Sequence, residues 1–464
     1  MTAIGWTHFR SDVIAAVNAG VAEQFARRTW TSAQIEQKQT DDLHRLIAFS
    51  VEHSPFHRRR LENLNLADLH PSDLSLLPIM TKADMMASLD EVFTDRRLSR
   101  RVVEQALGAT GPEPSVILDE YVALASGGSS GSRGVFVYDR PAMTSFATAV
   151  SRPPIEAPVS PEPPQGKPVL AMVTAASPLH ATGMTVALCE DEQAPVEVHS
   201  IPATLPIADI VQQLNEVQPD VLSGYASMLV RLAGESRAGR LSIAPQQISS
   251  TSETLHPEMR AGVRVAFGAP VLDGFGSTEG LFGKTGPDEP TFVFNTDMCV
   301  VEFVDDANKP VAPGTPSTKV LLTNLYNLIQ PLIRYEIGDT FIREPDADNH
   351  GYLRALVRGR NDDTLRFGAT EIHPITIRAV MLTAPQVTEY QIHQTERGID
   401  LAAVCTGEVD STALTERLQA ALAEAGMPSP AVTIRMVERI DRHPATGKLR
   451  SVIPLTPGGA SCLK

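Results

Sequence analysis

The sequence predicts a mixed α/β chain. A large N-terminal α/β domain with parallel sheets and a β-rich subdomain is followed by a small C-terminal α+β domain. Three observations predict it. Apolar runs alternate with amphipathic stretches from Val169 to Gly276, the pattern of parallel strands joined by helices. From Phe292 to Arg343, short β-rich runs are separated by turns. The polar segment Arg358-Gly359-Arg360-Asn361-Asp362-Asp363 then precedes a last stretch of about a hundred residues with its own strand and helix patterns. The expected division is 1–358 and 359–464.

Composition narrows the function classes. A chain of 464 residues is too long for one ordinary core. The formal net charge of −15 argues against non-specific binding to nucleic acid or to an anionic membrane, although a local site can still take an anion. Cys189, Cys299, Cys405 and Cys462 lie far apart and match no metal knuckle, so they read as reduced thiols of a cytoplasmic protein. Met1 to Arg10 has no apolar signal region, and no window reaches the roughly 18 apolar residues that span a bilayer.

In chain order, residues 11–63 read as helical: Val13, Val17 and Val21 lie at four-residue spacing, and Leu43, Ile47 and Val51 repeat it. His53-Ser54-Pro55-Phe56-His57 breaks the pattern. In Leu77-Pro78-Ile79-Met80-Thr81-Lys82, Thr81 is placed to cap a short helix through Asp84. A helix is expected from Pro141 to about Val150. The seven prolines between Pro153 and Pro168 exclude regular helix or central strand. Val169 to Thr174 reads as a buried strand, Ile207 to Val217 as an amphipathic helix, and Pro219 to Tyr225 as a short strand ending in a loop, before a further helix. Strands ending in loops are expected at Ile248 to Leu255 and from Val271. Further strands are expected at Val300–Val304, Lys319–Leu322, Pro331–Tyr335 and Thr340–Ile342. Beyond the boundary, Gly368 to Pro374 reads as a loop. Helices are expected at 375–382 and 411–425, and strands at 387–394, 401–406 and 431–437.

Five stretches carry chemistry. Ser126-Gly127-Gly128-Ser129-Ser130-Gly131-Ser132-Arg133-Gly134 lies between two strand-like runs, and such a loop can turn successive N–H groups and hydroxyls on a polyphosphate. As a lone stretch it reads equally well as a flexible hairpin. It is not a Walker A loop, since no Gly-Lys-Ser/Thr ends it. In Asp273-Gly274-Phe275-Gly276-Ser277-Thr278-Glu279, Phe275 reads as an exposed-loop aromatic that can stack on a flat ring, and Thr278 and Glu279 offer a hydroxyl and a carboxylate beside phosphates, where Mg²⁺ sits. Asp339, after the turn Ile337-Gly338, can accept from two vicinal hydroxyls. The fourth and fifth stretches are the charged boundary segment and Gly447-Lys448 on a turn near the end.

Their joint order resembles the adenylate-forming superfamily of acyl-CoA synthetases, adenylation domains and luciferases. The resembling motifs are the serine-glycine loop, Phe275-Gly276-Ser277-Thr278-Glu279, Arg334-Tyr335-Glu336-Ile337-Gly338-Asp339, the hinge segment 359–363 and Gly447-Lys448. His53-Ser54-Pro55-Phe56 and Leu77 to Lys82 further resemble the phenylacetate–CoA ligase branch. The resemblance implies that Ser126, Gly127, Gly128, Ser129, Ser130 and Gly131 hold ATP phosphates. Phe275 would stack on adenine, with Ser252, Glu253, Asp273, Gly274 and Gly276 around it. Thr278 and Glu279 would meet phosphate and Mg²⁺, Asp339 the ribose, and Arg360 the ribose or phosphate. Asp362 would be the hinge of a mobile C-terminal domain, and Lys448 would reach the carboxylate and α-phosphate.

The implied activity is AMP-forming ligation: a carboxylic acid, aryl or arylalkyl by branch, is activated to an acyl-adenylate and passed to coenzyme A. His180, Ala181, Tyr225 and Ala226 are the expected pocket walls, and the branch implies a homodimer. Gly127, Arg133 and Gly134 depart from the usual phosphate loop, and acidic Glu371 departs from the usual loop after the hinge, which bears on the second substrate. Two alternatives stand beside this reading. One is another acceptor or substrate: a carrier-protein thiol, an amine, or nitrite in a diazotase-type reaction. The other is a catalytically silent nucleotide-binding homologue.

Overall fold

The computed structural model describes residues 3–455, apart from 67, 110–112, 127–133, 156–165, 176, 346–350, 361–363, 369, 373, 382–383, 385, 406 and 444–446. The helical N-terminus is three helices, Ala3–Arg27, Ser32–His53 and Pro55–Leu61. Thr31 starts the second through a reciprocal capping box with Gln34. Ser54 caps the third, where Pro55 occupies the first turn and gives up an N–H that no helix would use.

Among the described residues the strands follow in order: β1 Tyr121–Ala125, β2 Val135–Asp139, β3 Val169–Thr174, β4 Glu197–Pro202, β5 Val221–Gly224, β6 Gln247–Thr251, β7 Val271–Gly276, β8 Phe282–Thr285, β9 Phe292–Phe294, β10 Cys299–Val304, β11 Lys319–Asn324, β12 Tyr335–Ile337, β13 Asp339–Arg343, β14 Arg354–Arg360, β15 Leu365–Phe367, β16 Thr370–Ile372, β17 Val387–Thr395, β18 Gly398–Cys405, β19 Ala431–Met436 and β20 Val452–Ile453. The central sheet has the order β13-β14-β9-β8-β7-β6-β5-β3-β4. From β4 to β7 it is parallel, and from β7 to β13 it is antiparallel.

The parallel half explains the apolar runs in the sequence, because both of its faces are covered. Helices Ile207–Val217, Ala226–Arg237 and Pro257–Phe267 supply one core with Ala171, Val173, Leu222, Ile248 and Val271. Ile210, Val211 and Leu214 are the buried stripe of the first of these helices. Each such side chain, fully buried, is worth about 1.5–3 kcal/mol. A larger core joins Trp6, Phe9, Phe146, Met184 and Phe282.

Strands β10-β11-β12 form a separate antiparallel sheet. The strand expected at Pro331–Tyr335 begins only at Tyr335. Arg334 has a φ of +50°, which turns the chain out of extended geometry, and its neighbours bond elsewhere. The Asn324 amide donates to the Leu332 carbonyl, and Met80 donates to that of Arg334. Past β14, the hairpin β15–β16 occupies part of the stretch expected as loop, with Gly368 at φ +62° in its turn. The sheet β19-β18-β17-β20 packs with Ser411–Glu424 around its own core of Leu365, Ile377, Leu401, Leu414 and Leu418. Among the described residues no helix is long and apolar enough to cross a membrane.

Candidate active site

Parallel register brings the carboxyl ends of β5, β6 and β7 level: Gly224 pairs with Ser250, and Thr251 with Gly274. Ligands of open α/β sheets bind at such ends. The loops leaving them carry Tyr225, Ala226, Ser252, Glu253 and Thr278 to Gly280. Tyr225 is buried, and its hydroxyl accepts from the Ala175 amide at 2.7 Å, which ties it to the end of β3.

The small domain docks its lysine turn onto this edge. Lys448 Nζ stands 5.4 Å from the centroid of the Tyr225 ring, a cation–π approach. Gly447, at φ +69°, is pressed against Ala203, where a Cβ would come within 3.0 Å of its backbone. Glu253 splits its carboxylate across the domain junction. One oxygen accepts from the Ser227 amide and the other from the Leu449 amide, both at 2.9 Å. Arg442 donates to Ser227 Oγ at 2.7 Å and pairs with Glu389 at 2.8 Å. Four of the expected residues, Tyr225, Ala226, Glu253 and Lys448, are therefore brought together. Ser252 precedes Glu253 at φ +63°, an uncommon conformation for serine.

Asp273 is buried on β7, and its amide donates to Thr285 Oγ1 at 3.0 Å. Loss of hydration raises its carboxyl to about 7 against the pull of Arg260. Phe275 is not the exposed-loop aromatic that the sequence suggests. It lies half-buried on β7, with edge-on contacts to Phe292, Phe294 and Phe341 at 6.5, 5.7 and 5.3 Å. Antiparallel pairing of β7 with β8 extends the strand through Gly276 and draws the ring into that cluster.

The Thr278-Glu279-Gly280 loop is held by residues that the sequence did not single out. Tyr138 donates to the Thr278 carbonyl at 2.6 Å, Asn324 to that of Glu279 at 2.9 Å, and Tyr326 to that of Gly280 at 3.3 Å. Asn327 and Gln330, from the same polar stretch, bind the backbone of β2. The cluster of Asn, Tyr and Gln between 324 and 330, directly after a strand, was the available signal. Thr278 Oγ1 lies 3.4 Å from Glu279 Oε2.

The serine-glycine loop is described only at its ends. Ser126 donates to the Gly134 carbonyl, and Gly134 donates back to Ser126 Oγ, each at 2.9 Å. A Cβ at Gly134 would come within 2.9 Å of the Phe136 ring, so a larger residue there would have to displace that ring. Gly127, Gly128, Ser129, Ser130 and Gly131 lie outside the described residues, as do Asp362 and the side chain of Arg360. Asp339 and Arg360 are direct partners in the β13–β14 ladder. His180 begins the helix Ala181–Cys189, with Nδ1 3.2 Å from the Ala125 carbonyl at the end of β1. Arg334 serves the fold: it forms a two-pronged pair with Glu302 at 2.9 Å and donates to the Leu77 carbonyl. The early segment Leu77 to Met80 thereby supports the strand leading to Asp339.

No family model matches the chain. Among curated proteins it is 29% identical to Protein CapK of Staphylococcus aureus over 34% of this chain and 34% of that protein. It is 26% identical to a phenylacetate-coenzyme A ligase of Thermus thermophilus over 39% of this chain and 43% of that protein. These matches span less than half of the relatives' own length. The structure superposes on 2-hydroxyisobutyryl-CoA ligase in the postadenylation state, in complex with 2-HIB-AMP. The TM-score is 0.69 and the identity 20%, over 93% of this chain and 92% of that one. Against the same ligase in the thioesterification state the TM-score is 0.56, with 20% identity over 92% and 91%. Fold, motif order and sequence matches converge on the adenylate-forming superfamily, with phenylacetate–CoA ligases among the relatives.

Proposed function

We propose that the chain uses ATP to convert a carboxylic acid, aryl or arylalkyl, into an acyl-adenylate, and then transfers the acyl group to coenzyme A. The observation that carries this reading is Lys448, set over Tyr225 and held to the nucleotide-side residue Glu253 through Leu449. The residues fit a nucleotide. Ser126 and Gly134 close a loop rich in glycine and serine, and Asp339 faces Arg360 across one ladder position. Glu279 and Thr278 would hold Mg²⁺ together with the phosphates, as a single carboxylate commonly does. The ion supplies neutralisation of phosphate charge.

In the reaction, the substrate carboxylate attacks the α-phosphorus, the bond to pyrophosphate breaks, and an acyl–AMP anhydride forms. Lys448 would balance the charge growing between carboxylate and phosphate. Residues 359–464 would then rotate about Asp362 and withdraw Lys448, so that the thiol of coenzyme A reaches the acyl carbon and AMP leaves. The higher score against the postadenylation arrangement supports the first of these poses. Glu371 is no obstacle to an anionic second substrate, because Arg366 pairs with it at 2.9 Å across the β15–β16 hairpin. His180, Ala181, Tyr225 and Ala226 would wall the acid. A homodimer is part of the reading, by kinship with the branch.

The test is pyrophosphate release from ATP and Mg²⁺ across a panel of aryl acids, with and without coenzyme A. Acid-dependent release with a thioester product upholds the reading. Release without a thioester moves the acceptor to a carrier-protein thiol or an amine. No release with any organic acid, but release with nitrite, would replace the substrate class.

A further inference from the structure

Lys284 lies on β8, between Gly274 of β7 and Val293 of β9 in the ladder. Directly opposed residues of an antiparallel pair share a face. Lys284 therefore shares the face of Gly274, Gly276 and Phe282, away from Phe275, whose partner is Gly283. On that face Phe282 packs edge-on against Phe146 at 4.7 Å. Above Gly274 there is room: a Cβ there would meet only the Ser250 carbonyl, at 3.5 Å. The lysine stem rises beside this space.

Among the described residues nothing answers the ammonium. Lys284 is half-buried, and its ammonium has no hydrogen bond or ion pair among the described residues. Its flank at Val293 belongs to an apolar cluster with Ile35, Ile155 and Tyr352. Burial lowers its pKa to about 8, with no acidic side chain opposing among the described residues. A partly desolvated ammonium on an apolar face gains from an anionic partner brought by a ligand.

The space is reached from the chemistry past the Phe282 ring, which lies 3.0 Å from where a Cβ on Gly276 would stand. Gly276 ends β7 beside the Thr278-Glu279 loop, and Gly274 is two residues deeper, roughly 7 Å along the strand. A substrate whose reacting carboxylate faces Thr278 and Lys448 would extend its far end toward Gly274. We infer that Lys284 determines specificity, pairing with a second anionic group, a carboxylate, at the far end of the acid that the enzyme activates. The inference rests on the adenylation reading and adds the substrate's second charge to it.

The experiment compares acids in pairs, benzoate with terephthalate and phenylacetate with 4-carboxyphenylacetate, by kcat/KM for pyrophosphate release. The full chain, Lys284→Met and Lys284→Arg are each assayed. The natural chain is expected to favour the dicarboxylic member of a pair at least tenfold. Lys284→Met should erase that preference while leaving the monocarboxylic acid within threefold, and Lys284→Arg should restore part of it. A natural chain without the preference, or a Lys284→Met chain that keeps it, overturns the inference. If none of these acids releases pyrophosphate, calorimetry with terephthalate decides the site separately from the adenylation reading. Binding that is lost in Lys284→Met and retained in Lys284→Arg upholds it; equal or absent binding in all three chains overturns it.

Discussion

Glu253 accepts a hydrogen bond from the Leu449 amide at 2.9 Å, while its other oxygen accepts from Ser227 at 2.9 Å. One carboxylate thus fastens the lysine turn of the small domain to the end of β6. Hydrogen bonds to a charged group are worth about 1.5–3 kcal/mol, or roughly a tenfold to hundredfold change in the docked population. Glu253→Gln keeps the size but turns an N–H₂ toward one of the two amides. It is expected to cut acid-dependent pyrophosphate release by about that factor and to expose the turn to protease. An unchanged rate and unchanged cleavage would show that Glu253 does not set the pose.

Lys448→Ala separates chemistry from folding. Removing one charge that stabilises a transition state commonly costs about a hundredfold to a thousandfold. The expected outcome is that loss in acyl-adenylate formation, with ATP binding by calorimetry within a few-fold and an unchanged melting temperature. Full activity in the variant would remove Lys448 from the mechanism.

His57 makes stability depend on pH. It is buried, and because a carbonyl can only accept, its Nε2 carries the proton toward the Pro331 oxygen at 3.0 Å. Burial, reinforced by the nearby Arg60 charge and opposed by that hydrogen bond, lowers its pKa from 6.5 to about 3. Below pH 6.5 the unfolded chain takes up a proton that the folded chain refuses. This contribution to stability is therefore full above pH 6.5 and is lost as pH falls toward 3, by about 1.4 kcal/mol per unit. Urea midpoints should hold between pH 8 and 7 and drop from pH 6 to 4, with a shallower drop in His57→Gln. Identical slopes would assign the acid sensitivity elsewhere.

The parallel sheet was legible because strands buried on both faces must be apolar along their whole length, as Val169 to Thr174 is. The motif stretches stand out in the sequence by their clustered glycine and serine, and of the serine-glycine loop only the ends, Ser126 and Gly134, are described. What stayed hidden is long-range. Phe275 reads as exposed from its glycine neighbours, yet Phe292, Phe294 and Phe341 reach it only through the sheet pairing that runs from β7 through β8, β9 and β14 to β13. The knuckle at Arg334 is invisible in a β-rich run, since its φ of +50° is sustained by Glu302 and the Leu77 carbonyl, far away in sequence. The hairpin β15–β16 was hidden by Gly368, which marks a turn equally well inside a loop or between two strands.

Gly280 closes the Thr278-Glu279 loop, and three side chains from distant segments lock it there. Its φ is +100°, a region open to glycine and strained for other residues, and a Cβ would run into Asn324 Nδ2 and the Tyr326 hydroxyl. Those same two groups donate to the carbonyls of Glu279 and Gly280. Gly280→Ala must therefore push away the donors that fix the Glu279 backbone. Asn324→Ala removes one donor without adding bulk and strands a buried carbonyl, at a cost of about 1–3 kcal/mol. Both variants are expected to fold with lowered melting temperatures. Both should raise the Mg²⁺ concentration for half-maximal pyrophosphate release several-fold, with Gly280→Ala the more affected. A Gly280→Ala chain with the natural Mg²⁺ dependence would show that Glu279 does not depend on this lock.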